Sequence, residues 1–267
     1  MSILIERAEN ADQPELHQLW ESVFGDAPET VQTFFDRFPP EAAGWVLRED
    51  GKIRAMAWLL PGSWLITEDS MQAAGYVYAV ATAPEARGRG YAGQLMKAIM
   101  DFADQRSLLL YTRPAEDSLF PWYADRMEAG SVGYMEEISY TKSGISDLQV
   151  LPVEALEYQA LREARIGSAP HLLLSEALLR VQKQYLMDAG GDLFQVGSGC
   201  CACEMRDGKL YVLELFADDE TAAMEALMQH FQVEKATLRK ASDAAGTPVV
   251  CWRGAAPDTT NFGLFLE

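Results

Sequence analysis

The stretch VATAPEARGRGYAGQLMKAIMDFA, from Val80 to Ala103, most constrains what this chain can fold into. Residues 73–82 are dominated by aromatic and β-branched side chains (Tyr76, Val77, Tyr78, Val80, Thr82), which predicts a strand. From Tyr91 to Arg106, apolar groups at Leu95, Ala98, Ile99, Phe102 and Ala103 mark one buried helical face. The order is strand, glycine-rich turn, helix, so a ligand at the turn would meet the unpartnered N–H groups that begin the helix. Glycines let backbone approach closely and the helix dipole favours negative charge. Arg87 and Arg89 would add charge-assisted hydrogen bonds, which makes a phosphate the candidate ligand. The turn lacks the third glycine of a dinucleotide fingerprint and the Lys-Ser or Lys-Thr pair of a P-loop.

The formal charge of −18 argues against nucleic-acid binding, which needs a basic face, and would attract cations. Acids spread over solvated faces for solubility are the competing explanation. No apolar run is long enough for a membrane span, and MSILIERAEN has no basic region ahead of an apolar core, so a cytoplasmic protein is expected. Cys200, Cys201 and Cys203 lack paired C-x-x-C spacing. On a strand, Cys201 and Cys203 share a face while Cys200 points the other way. They read as buried thiols, and no metal is expected.

Strands are expected at Ser2 to Glu6 and on both sides of Asp50-Gly51 in GWVLREDGKIRAMAWLLPGSWLI, a strong hairpin signal. NADQPELHQLWESVF, capped by Asn10 or Asp12, and APETVQTFFDRF, ended by Pro39 and Pro40, read as helices. SLLLYTRPA is an apolar strand of a sheet interior, DSLFPWYADRM a helix capped by Asp117 or Ser118, and VGYMEEISYTK a closing strand. Seven strands and four helices make a mixed α/β first domain, residues 1–143. Gly144, Ser146 and Pro152 break the pattern before a second α/β domain, residues 144–267. Its helices are VEALEYQALREARIG, LSEALLRVQKQYLMDAG and DETAAMEALMQHF. Its strands are DLFQVG, the hairpin GCCACEMRDGKLYVLELFA, KATLRKA, TPVVCWRG and FGLFLE. A similar order of elements in the two halves suggests a duplicated architecture, yet the second half has no counterpart of RGRGYA.

The strand, Pro84, R-G-R-G-Y-A and amphipathic helix together resemble the acetyl-CoA motif R/Q-x-x-G-x-G/A of the GNAT acetyltransferase superfamily, here Arg87 to Ala92. The resemblance spans residues 3–142 in element order as well as motif. It implies the mixed central sheet of the GNAT fold and acetyl-CoA as cosubstrate. Backbone groups of Val80, Ala81 and Thr82 would pair with the pantetheine arm. N–H groups from Gly88 to Gly93 (Gly88, Arg89, Gly90, Tyr91, Ala92, Gly93) would hold the pyrophosphate, with Ser118 a further coenzyme contact. The two-part layout is similar to tandem-GNAT proteins, in which a complete N-terminal domain precedes a degenerate, smaller GNAT-like one without coenzyme. It is less similar to enhanced-intracellular-survival-type acetyltransferases, which carry a further domain. A homodimer is the expected assembly.

LFPWYADRM resembles the family's aromatic segment, which places Tyr123, in preference to Tyr111, as the acid that protonates the departing thiolate. Gly133-Tyr134 follows later than the family pattern has it. The strand before the turn carries no carboxylate, so base candidates are Asp26, Glu29, Glu116, Asp117 and the terminal carboxylate of Glu267, or a bound water. His17 reads as a surface group. The expected function is N-acetyl transfer to an amine of a small, cationic acceptor by direct attack. The alternative is a noncatalytic acyl-CoA-binding sensor or scaffold.

Overall fold

A computed structural model describes residues 2–37, 42–67, 69–242, 246–253 and 264–266. The chain forms two compact units, one drawn from Met1–Leu65, Met71–Val132 and Val249–Pro257, the other from Ile66–Ser70, Gly133–Pro248 and Asp258–Glu267.

The first unit starts with β1 (Ile3–Arg7), a short 3-10 turn, α1 (Gln13–Phe24) and α2 (Pro28–Arg37). Asp12 precedes α1 but does not cap it with its side chain; its carboxylate accepts from the Glu9 N–H and pairs with Arg48 at 2.7 Å. Strands β2 (Ala43–Glu49) and β3 (Lys52–Ile66) meet at Asp50 and Gly51, with φ of 50° and 84°, the left-handed pair that an Asp-Gly hairpin turn provides. Then come β4 (Met71–Thr82), α3 (Tyr91–Asp104), β5 (Leu109–Thr112) and α4 (Phe120–Arg126). β1–β2 and β2–β3 are antiparallel, β3 neighbours β4, and β4–β5 is parallel. Trp45 pairs with Ala57 and so shares its face, while Trp58 faces the other side. α3 covers the Trp45 face through Phe102, and α1 and α2 cover the Trp58 face through Trp20, Phe34 and Phe35.

The outer neighbour of β5 is not the strand that follows α4. It is β13 (Thr247–Arg253), antiparallel, with Cys251 opposite Thr112 and Trp252 opposite Tyr111. Seven strands were expected in the first 143 residues; among the described residues six begin in that stretch.

In the second unit, β6 (Ala129–Thr141) pairs antiparallel with β12 (Lys235–Ser242) over Tyr134 to Thr141. The other strands are β7 (Val150–Pro152), β8 (His171–Leu174), β9 (Asp192–Val196), β10 (Gly199–Arg206) and β11 (Lys209–Phe216). The helices are α5 (Ala155–Ile166), α6 (Glu176–Asp188) and α7 (Glu220–His230). The sheet order is β6-β12-β11-β10-β9-β7, with β11–β12 parallel. In both units an antiparallel hairpin leads through one helix to a parallel strand. Cys201 and Cys203 lie in the core under α7, while Cys200 faces Tyr158, Arg162 and Glu214 on the opposite side. β7 and β8 were not anticipated. Leu264–Leu266 is not a strand, and the rest of FGLFLE lies outside the described residues, as do Pro39 and Pro40.

Among the described residues no helix is long and apolar enough to cross a membrane, and no three potential metal ligands lie together.

Candidate functional site

The site is built where β4 runs past its pairing with β5. Ala79 has φ 47°, a left-handed residue in mid-strand, and β4 pairs with β5 over Ala74–Tyr76, ahead of it. Such an irregularity bends a strand; Val80, Ala81 and Thr82 lie beyond it, past the residues that pair with β5. Thr112 in β5 bonds instead to the Val77 carbonyl, at 2.8 Å.

β4 runs through the short 3-10 turn Pro84–Ala86 into the glycine turn. Gly88 and Gly90 have φ of 78° and 75°, a conformation that costs other residues energy, which explains why glycines alternate here. Gly90 precedes α3 with no side-chain cap, and the first turn of α3 carries no acid. Its leading N–H groups and the positive end of its dipole therefore face a ligand rather than a carboxylate. In the second unit Ser175 caps α6, and Asp219 caps α7 at the corresponding strand-to-helix junction.

A depression of about 280 Å³ lies over this turn, lined by Thr82, Ala86, Arg87, Gly88, Gly90, Tyr91, Ala92, Gly93, Trp122 and Arg126. Arg87 donates weakly to the Thr82 carbonyl, at 3.4 Å, and stays exposed. Arg126, in the last turn of α4, lies against Gly93. Two cations and a helix N-terminus thus converge on one concavity, beside an indole. Residues 5–119 match the sequence profile of the acetyltransferase (GNAT) domain family.

No curated protein matches the chain. Solved GNAT-type structures do resemble it in fold. A probable N-acyltransferase from Enterococcus faecalis has a TM-score of 0.72 at 12% identity, spanning 94% of this chain and 72% of its own. Eis1 from Mycobacterium abscessus gives 0.64 at 12% identity, over 93% and 73%. A tandem GNAT protein from the clavulanic acid biosynthesis pathway gives 0.56 at 12% identity, over 97% and 100%.

The residues expected from the motif are placed unequally around the glycine turn. Arg87, Gly88, Gly90, Tyr91, Ala92, Gly93 and Thr82 line the depression. Val80 is half-buried and Ala81 buried; neither lines it. Arg89 turns away from it: its Nη1 lies 2.8 and 3.0 Å from the two carboxylate oxygens of Glu49. Ser118 is exposed and donates to Glu116 at 3.2 Å, away from the lining. Sequence reasoning missed Arg126, Trp122 as part of the lining, and Glu49. For Arg126 the available signal was its place on the same helix as Tyr123.

Tyr123 is buried, with its ring edge-on to Trp122. Burial pushes its phenol up to about 12; a hydrogen bond with Thr112 opposes the shift and the nearby Cys251 adds to it. Tyr123 is thus a neutral phenol throughout the physiological range. Tyr111 is fully buried, stacks on Tyr76 and donates to Ser63 at 3.3 Å. Among the base candidates, Asp26 accepts from the Trp20 indole at 2.7 Å and Glu116 from Ser118. Glu29 and Asp117 are exposed, and Glu267 lies outside the described residues. His17 is half-buried and stacked on Phe35 rather than free at the surface.

All four cysteines are free and buried. Burial raises the Cys200 thiol to about 12 and the Cys251 thiol to about 11. Neither would carry useful thiolate near neutrality.

Proposed function

We propose that the chain is an acetyl-CoA-dependent N-acetyltransferase that acetylates an amine of a small, cationic acceptor. The observation that carries this reading is the uncapped N-terminus of α3 opening into a depression flanked by Arg87 and Arg126. That chemistry suits a pyrophosphate. Coenzyme A, when bound, supplies an activated acetyl thioester. Gly88 to Gly93 and the two arginines would hold its phosphates. The backbone of Val80 to Thr82 would align its extended arm. Trp122 offers an apolar wall. Tyr123 would keep a proton available to the departing thiolate.

Direct attack by the amine is favoured because all four cysteines are buried and burial pushes the Cys200 and Cys251 thiols up, which leaves no activated thiol to carry the acyl group. Holding both reactants in one cleft makes the step effectively unimolecular, a gain of several kcal/mol. The second unit is read as a degenerate GNAT-like domain that binds no coenzyme. The test is consumption of acetyl-CoA by purified protein against a panel of amines, with coenzyme binding followed separately. Turnover on amines supports the enzyme. Tight binding with no turnover on any amine would overturn it in favour of an acyl-CoA sensor.

A further inference from the structure

Beneath the glycine turn lies a buried carboxylate that the motif does not include. Glu49, the last residue of β2, has a side chain only 7% exposed, yet gathers three partners from separate segments. Arg89 Nη1 lies 2.8 and 3.0 Å from its two oxygens. The Tyr91 hydroxyl, from the first residue of α3, donates to it at 2.7 Å. Arg54 Nε, from β3, is 3.5 Å away, an ion pair rather than a hydrogen bond. Arg54 also holds Glu85, in the turn's approach, through Nη1 at 2.6 Å, and its carbonyl accepts the Ala83 N–H at 2.8 Å. Both sides of the glycine turn are therefore tied to the β2–β3 hairpin.

We propose that Glu49 is a positioning residue for coenzyme binding: through Arg89 and Tyr91 it fixes the pyrophosphate-binding turn in its binding conformation before the ligand arrives. The inference rests on the coenzyme reading above. Gly88 and Gly90 give the turn the freedom to reach positive φ, but that freedom must be lost when an anion is bound. Arg89, between the two glycines, is the turn's handle, and Glu49 holds it. Preorganisation of this kind raises affinity by removing the ordering cost from the binding step. It also assigns the arginines different tasks: Arg87 and Arg126 face the depression, and Arg89 braces it from behind.

The alternative is plain electrostatics, and it predicts the opposite sign. If Glu49 were only a negative charge near an anion site, Glu49→Gln would remove repulsion and tighten binding. Positioning predicts that Glu49→Gln weakens coenzyme A binding by at least about tenfold, the range typical of groups that orient a ligand-binding shell. The turnover number at saturating acetyl-CoA should stay within about twofold, so that the loss falls on KM. Arg89→Met should weaken binding similarly. The double variant should be no weaker than the worse single one, because the two residues act as one unit.

A readout without ligand makes the test independent of activity. In the free protein, amide exchange over residues 88–93 should be faster in Glu49→Gln than in the wild type. Should Glu49→Gln fail to fold, Arg89→Met and Tyr91→Phe carry the same measurements. Unchanged or tighter binding in Glu49→Gln, or unchanged exchange over 88–93, would overturn the proposal. A wild-type chain that binds no coenzyme A would instead overturn the coenzyme reading, and this inference with it.

Discussion

The Arg126 side chain lies across Gly93, its Nε 3.3 Å from the point a β-carbon on residue 93 would occupy. Gly93 thus keeps the first turn of α3 flat enough for a cation from α4 to sit over it. Arg126→Ala is expected to weaken coenzyme A binding about tenfold, near the lower end of the ~1.5–3 kcal/mol of a charged hydrogen bond. Gly93→Ala should displace the guanidinium by a few tenths of an ångström and weaken binding less. Combining the two should add nothing to Arg126→Ala, measured by calorimetric titration.

Gly90 has open space around the position of a β-carbon, so its constraint is φ 75° together with the ligand that would fill that space. Gly90→Val is expected to abolish coenzyme binding and lower stability by about 1–2 kcal/mol, the cost of a left-handed residue. Gly90→Asn, which tolerates that region, should recover most of the stability but not the binding. Thermal melts and titrations on both variants separate the two effects.

Tyr123→Phe is expected to lower the turnover number by about 10²-fold with coenzyme affinity nearly unchanged. Because burial holds the phenol near 12, its ionisation should not appear as a falling limb in the rate between pH 7 and 10. The sign for stability follows from the folded value lying above the ordinary 10. The contribution is complete below pH 10 and is lost as pH rises toward 12. Tyr123→Phe should therefore flatten that part of the alkaline unfolding profile.

One coenzyme should bind per chain. At the second unit's junction Asp218 is paired with Arg165 at 2.5 Å and Asp219 caps α7, so acids already occupy the place an anion would need. Two equal sites in a titration would sink this.

For a cationic acceptor, kcat/KM should fall as ionic strength rises, while neutral acceptors are little affected. A salt-independent rate would leave the chain's acidic excess as a matter of solubility.

The β2–β3 hairpin and α3 were legible because local rules decide them: Asp50-Gly51 gives two left-handed residues, and a 3.6-residue period gives the helix. Glu49 was not legible, since a lone acid ending a strand carries no sign of a partner 40 positions on. Arg126 was hidden likewise, its role depending on how α4 lies against α3. Ala79 breaks a strand without a glycine to announce it. The sequence pattern also recognised Thr247–Arg253 as a strand but not its neighbour, because alternation marks a strand and says nothing about which edge it joins.

That last strand bears on biosynthesis. As the ribosome releases the polypeptide from its N-terminus, β5 emerges more than a hundred residues ahead of the segment that pairs with its outer edge. Until residues 247–253 appear, the nascent chain must carry an open strand edge at β5, the kind of surface that recruits chaperones or self-associates. Expressing residues 1–143 alone should reproduce that unfinished state permanently, and it is expected to yield inclusion bodies where the full chain stays in solution.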